Sequence, residues 1–127
     1  MTPTVPRGLM LCDDLIFASK VTGTARAAGM TVAVARNLPR FAELLAEAAP
    51  TGVLLDLHHD GLDLPALLEL LHGRCPVPPR VTAFGAHVDA ARLKAAREAG
   101  CDLVLPRSQF VKLLEADLAS WLAPRSL

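Results

Sequence analysis

The sequence predicts an α/β protein built on a doubly wound, five-stranded parallel sheet of order 2-1-3-4-5. Three observations predict it. Short apolar runs recur along the chain, the segments between them keep a helical period, and polar or turn residues stand at the boundaries. Five strands alternating with helices are covered on both faces only when the sheet is doubly wound. Right-handed crossovers then put the first and third strands at its centre.

The expected strands are Leu9–Cys12, Thr31–Ala35, Gly52–Leu55, Arg80–Phe84 and Asp102–Leu105. Each is too short for a helix, and most carry a β-branched residue. The first helix, from about Leu15 to Ala28, is weakly encoded, because Ser19, Thr22, Gly23 and Thr24 lower its propensity. The second places Leu38, Phe41, Leu44, Leu45 and Ala48 on one face, and the third does so with Leu64, Leu67, Leu68 and Leu71. In the last helix the stripe is Phe110, Leu113, Leu114, Leu118 and Trp121, read as core. Asn37, Asp63, Asp89 and Ser108 are the expected N-caps, and Gly29, Gly73 and Gly100 the expected left-handed C′ residues. Pro76, Pro78 and Pro79 make Gly73–Pro79 a connecting loop.

At 127 residues the chain fits one domain, expected over residues 1–127. Thirteen Lys plus Arg balance thirteen Asp plus Glu, so no overall field draws it to nucleic acid or an anionic membrane. Its apolar runs are far below the roughly 20 residues that span a bilayer. Met1–Arg7 holds two prolines and no apolar stretch, which predicts a cytoplasmic chain without a secretory leader. Three cysteines, Cys12, Cys75 and Cys101, form no CxxC pair, so a disulfide framework and a zinc site are not indicated.

Doubly wound sheets bind at the carboxyl ends of their strands. That edge should gather Asp13 and Asp14 after the first strand, Asp56 after the third, Gly85 and Ala86 after the fourth, and Pro106 and Arg107 after the fifth. Carboxylates brought together repel unless a cation enters, and Mg²⁺ suits oxygen ligands. His58, His59 and His87 lie in the same loops, so a transition-metal or small-ligand site using Asp14, Asp56, His58 and His87 is a rival reading. Asp14 has a simpler role open to it, as N-cap of the helix beginning at Leu15. Asp56-Leu57-His58-His59-Asp60-Gly61 matches DxHxxG, a cobalamin-binding pattern, but without its later small-residue signatures. No GxGxxG, GxxxxGK[ST] or GxSxG is present, which leaves dinucleotide, P-loop and elbow-serine chemistry without an anchor.

From about Gly8 to Leu122 the chain resembles the receiver domain of bacterial two-component response regulators, a flavodoxin-like fold. The resemblance is carried by Asp13-Asp14 in LMLCDD, Asp56 in GVLLDL, and the run EAGCDLVLPRS. It implies Asp56 as phosphoacceptor, and Mg²⁺ held by Asp13, Asp14 and Asp56 with His58 nearby. Gly85, Ala86 and Arg107 would contact the phosphoryl group. Two positions depart from the family: its Ser or Thr after strand four falls on Gly85, and its Lys after strand five on Arg107. Val104 stands where an aromatic switch residue is usual, and the chain has no Tyr. VLPRS and FGAH also resemble an atypical stand-alone receiver-like subgroup.

The resemblance implies a non-enzymatic signalling domain working through protein contacts, with a histidine kinase or a downstream protein as partner. Its switch would be Mg²⁺-dependent phosphorylation of Asp56. The alternative is a phosphorylation-independent interaction module, in which Arg107 holds Asp56 in a bidentate pair. Gly85 and Val104 predict that the surface of the fourth strand, last strand and last helix stays still on modification, for want of a group that moves.

Overall fold

The computed structural model describes residues 5–125. Strands and helices alternate as β1 Arg7–Leu11, α1 Leu15–Ala27, β2 Thr31–Ala35, α2 Leu38–Glu47, β3 Gly52–Asp56, α3 Leu64–Arg74, β4 Arg80–Gly85, α4 Ala90–Ala99, β5 Leu103–Pro106 and α5 Arg107–Leu122. The sheet order is β2-β1-β3-β4-β5, with every pairing parallel, as the sequence predicts. Residues 1–4, part of the segment read for a leader, lie outside the described residues.

Alternation along the strands sorts side chains into two cores. Leu9, Leu11, Val53, Leu55, Val81 and Ala83 face α2, α3 and α4, where Phe41, Leu45, Leu67, Leu68, Leu71 and Leu93 meet them. Met10, Leu54 and Phe84 face α1 and α5, against Phe17, Val21, Phe110, Leu114, Leu118 and Trp121. Phe84 lies between Phe17 and Phe110, with ring centroids 5.0 and 4.6 Å away, and Trp121 stacks on Phe110 at 4.9 Å. The stripe of the last helix is therefore core. Leu113 sits half-buried at the rim of that core, and Leu38, Leu44 and Leu64 at the rim of the other.

The expected caps form at Asn37, Asp63 and Asp89, whose side chains accept from the N–H groups of Arg40, Ala66 and Arg92. Gly29 and Gly100 take positive φ, 76° and 112°, at the ends of α1 and α4. Two expectations fail. α5 starts at Arg107 rather than after Ser108, because Pro106, with φ −56°, already turns the chain into the helix, and no side chain caps it. Gly73 does not end α3, which runs on to Arg74 and is closed by Cys75. A glycine near a helix end costs only about 1 kcal/mol, and beyond it the Cys75 N–H still donates to the carbonyl of buried Leu71. α1 forms despite its threonines, whose hydroxyls bond back to the carbonyls of Ser19 and Lys20, because Phe17, Ala18, Val21 and Ala25 give it a buried face.

Strand bounds shift modestly. β1 begins at Arg7 and stops before Cys12, β3 extends through Asp56 and β4 through Gly85. Asp102 leaves β5, and its carboxylate instead accepts the Val81 N–H at 2.7 Å. Asp56 thus ends a buried strand in register with Phe84, which fixes its position.

Candidate functional site at the carboxyl edge

Asp14 is the residue through which this edge is organised. Its Oδ1 accepts the Phe17 N–H at 3.0 Å as N-cap of α1, and its Oδ2 accepts from Arg107 Nη2 at 2.8 Å. Those bonds favour the ionised form, so the carboxyl is held below its ordinary range, by the Phe17 N–H first and Arg107 next. Arg107 is fixed from below as well: its guanidinium carbon lies 4.1 Å from the Phe17 ring centroid, in cation–π geometry. The N-terminal ends of α1 and α5 are joined through this pair. Asp13 is exposed beside it.

Asp56 is 7% exposed. Its Oδ1 accepts the His58 N–H at 2.9 Å, and the Leu57 N–H donates to the Phe84 carbonyl at 2.9 Å, so the β3–α3 loop leaves the sheet in a defined direction. The ion pairs among the described residues leave Asp56 out. The bidentate Arg107–Asp56 pair expected from the sequence is therefore corrected: Arg107 meets Asp14, through one nitrogen. The cause is position, since Arg107 opens α5 directly over Phe17 and Asp14 caps α1 beside that ring. Both carboxylates act on the Cys12 thiol, which burial, foremost, pushes up, and which donates to the Asp14 carbonyl.

Gly85 lacks a hydroxyl, and its place is filled. His58 Nε2 would stand 3.2 Å from a Cβ at residue 85, and it accepts the Ala86 N–H at 2.9 Å. That bond requires the imidazole proton on Nδ1. Arg92 adds a second tie: its Nη1 donates to the Leu57 carbonyl at 2.9 Å while its Nε donates to Asp89 at 2.9 Å. Together these bonds lash the β3–α3 loop to the start of α4. Val104 is buried and aliphatic, with no ring to turn.

Among the described residues no group of three or more His, Cys, Asp and Glu is placed to hold a metal ion. The site of Asp14, Asp56, His58 and His87 is thus not assembled, because His58 turns its Nε2 to Ala86 and Asp14 is engaged by Arg107. Asp13, Asp14, Asp56 and His58 likewise form no preassembled ligand cluster. Sequence reasoning missed Phe17 as the platform for Arg107, and Arg92 as the loop tie. Arg92 had a local signal, standing three residues after the Asp89 cap.

No protein-family model and no curated relative matches the chain. Solved structures do. A response regulator signal receiver domain from Bermanella marisrubri superposes with a TM-score of 0.78 at 21% identity, over 94% of this chain and all (100%) of that one. A Thermotoga maritima response regulator gives 0.77 at 17% identity, over 94% and 98% of the two chains. A Burkholderia pseudomallei response regulator with a phosphorylated aspartic acid, a calcium ion and citrate gives 0.70 at 19%, over 90% and 69%. The fold of this chain is the receiver fold.

Proposed function

We propose that this chain is a receiver-like signalling domain that acts through protein contacts, with Asp56 as its phosphoacceptor. The observation that carries the proposal is the placement of Asp56: a buried carboxylate ending the central strand β3, one oxygen fixed by the His58 N–H, at the edge that also holds Asp14 and Arg107. The phosphorylated aspartate and calcium ion of the Burkholderia pseudomallei neighbour support it.

The donors fit a hard cation. Asp14 and Asp56 supply carboxylate oxygens and Asp13 stands beside them, so these residues would hold Mg²⁺, with Arg107 leaving Asp14 to admit it. When bound, Mg²⁺ supplies positive charge to the oxygens of the incoming phosphoryl group. Asp56 is the nucleophile: a carboxylate oxygen attacks phosphorus of the donor, and the bond from phosphorus to the leaving group breaks, releasing imidazole from a kinase phosphohistidine (P–N) or a carboxylate from an acyl phosphate (P–O). Released Arg107 keeps its charge and can pair with phosphoryl oxygens in the role the resemblance gives it. His58 is left out of the oxygen set because its Nε2 is committed to Ala86. The partner proposed is a histidine kinase or a downstream signalling protein, met in the cytoplasm.

A second reading is favoured by one observation, the 2.8 Å Asp14–Arg107 pair, which already supplies one of the edge's acids with a resident cation. On that reading the domain is a phosphorylation-independent interaction module. Intact mass after incubation with acetyl phosphate and Mg²⁺ separates the two. A labile phosphoryl adduct absent from Asp56→Asn is the expected result, and no adduct on the wild-type chain selects the module.

A further inference from the structure

His58 belongs to neither the acid pair nor the core, yet it is bonded at both ends. Its backbone N–H depends on Asp56 Oδ1 at 2.9 Å, and its Nε2 holds the Ala86 N–H at 2.9 Å. One residue therefore reads the carboxylate with its main chain and grips the β4–α4 loop with its side chain. Gly85 makes this grip feasible. A Cβ there would lie 3.2 Å from Nε2 and 3.3 Å from Leu93 Cδ2, so a hydroxyl-bearing residue at 85 and the imidazole compete for one space.

We propose that His58 is the moving part of this domain: a latch that holds the Ala86 N–H in the resting state and gives it up when an anion is seated on Asp56. This rests on Asp56 being the acceptor. An anionic oxygen on Asp56 needs N–H donors, and a charge-assisted bond is roughly twice as strong as one to a neutral acceptor. Ala86 is two residues past Phe84, the register partner of Asp56, and its N–H is spent on a neutral ring nitrogen. An anion taking that N–H leaves Nε2 without its donor, beside Gly85 and Leu93 and on an exposed residue. The imidazole then exchanges the Ala86 donor for water and is free to turn. The Arg92 bond to the Leu57 carbonyl still ties the loop to α4. The exchange needs no hydroxyl at residue 85 and no aromatic rotor at Val104. It also revises the expectation of a still surface: Ala86 and the start of α4 respond.

The test is ¹⁵N NMR of the full chain, following the His58 ring nitrogens and the Ala86 amide while beryllofluoride and Mg²⁺ are added. The expected result is loss of the hydrogen-bonded Nε2 signature, with Ala86 remaining bonded but shifted. Gly85→Ser should release Nε2 without any anion. His58→Ala should free the Ala86 N–H and tighten beryllofluoride roughly three- to tenfold, the worth of one removed competing bond. Shifts at Asp14 and Arg107 that Asp56→Asn abolishes, with His58 unmoved, overturn the latch and leave Asp56 as acceptor. No Asp56-dependent response at all overturns both. An Ala86 amide unchanged in His58→Ala overturns the resting contact itself.

Discussion

The carbonyl oxygen of Trp121 crosses Gly52 so closely that a Cβ on that glycine would stand 2.5 Å from it, with the Leu122 Cα at 2.7 Å. Both opposing atoms are backbone, so neither can rotate aside, and the end of α5 rests directly on the start of β3. Gly52→Ala should cost about 1–3 kcal/mol in urea unfolding, the usual range for overpacking. Gly23→Ala in α1 meets nothing within 4 Å. It should stabilise by about 0.5–1 kcal/mol, since only the backbone entropy of glycine is removed. Equal midpoints for the two variants would mean that α5 does not seat there in solution.

Phe84 is fully buried between Phe17 and Phe110. Phe84→Ala should destabilise by about 3–5 kcal/mol through lost transfer energy and a cavity. The cavity would open under Phe17, the ring that carries Arg107. Urea denaturation reads the loss, and a cost below that of an ordinary surface substitution would deny the aromatic cluster.

The Asp14 carboxyl is depressed, by the Phe17 N–H first and Arg107 second. With the folded value below the unfolded one, the stabilisation is fully present above the unfolded value and fades as pH falls through the folded one. A carboxyl ¹³C titration should find its midpoint under the ordinary 3.8. Arg107→Ala should raise that midpoint only part way, because the Phe17 bond survives. A complete return to 3.8 would assign the whole shift to Arg107.

Burial, with a smaller push from Asp102, raises the Cys101 thiol from 9.0 to about 11. The folded state favours the protonated thiol, so its contribution is intact below 9.0 and is lost as pH climbs through about 11. At pH near 8, iodoacetamide should label Cys101 slowly in the native chain and quickly in urea. Cys12 and Cys75, also raised chiefly by burial, should follow the same pattern. Rapid native labelling would show that this part of the core opens.

Much of this was legible in the sequence. Asn37, Asp63 and Asp89 announced their helices because an N-cap is a local device, and Phe110, Leu114 and Trp121 announced a buried face because helical spacing is local too. The gathering of Asp14, Asp56 and Arg107 at one edge followed from topology. What could not be read was which acid Arg107 would choose, since 93 residues separate it from Asp14 and the choice turns on the Phe17 ring beneath it. The contact of His58 with Ala86 was hidden for the same reason: it depends on a missing side chain at Gly85, and an absence has no pattern of its own.

The Asp14–Arg107 pair has a consequence for the ionic conditions the domain can live in. A free cation must surrender translational freedom each time it binds, whereas Arg107 is a counter-charge on a covalent tether, present at high effective concentration whenever the chain is folded. A chelator strips a free ion and leaves a side chain in place. The resting edge therefore keeps this counter-charge on Asp14 in a medium emptied of divalent ions, and under the proposed function Mg²⁺ would meet an occupied seat instead of a bare acidic cleft.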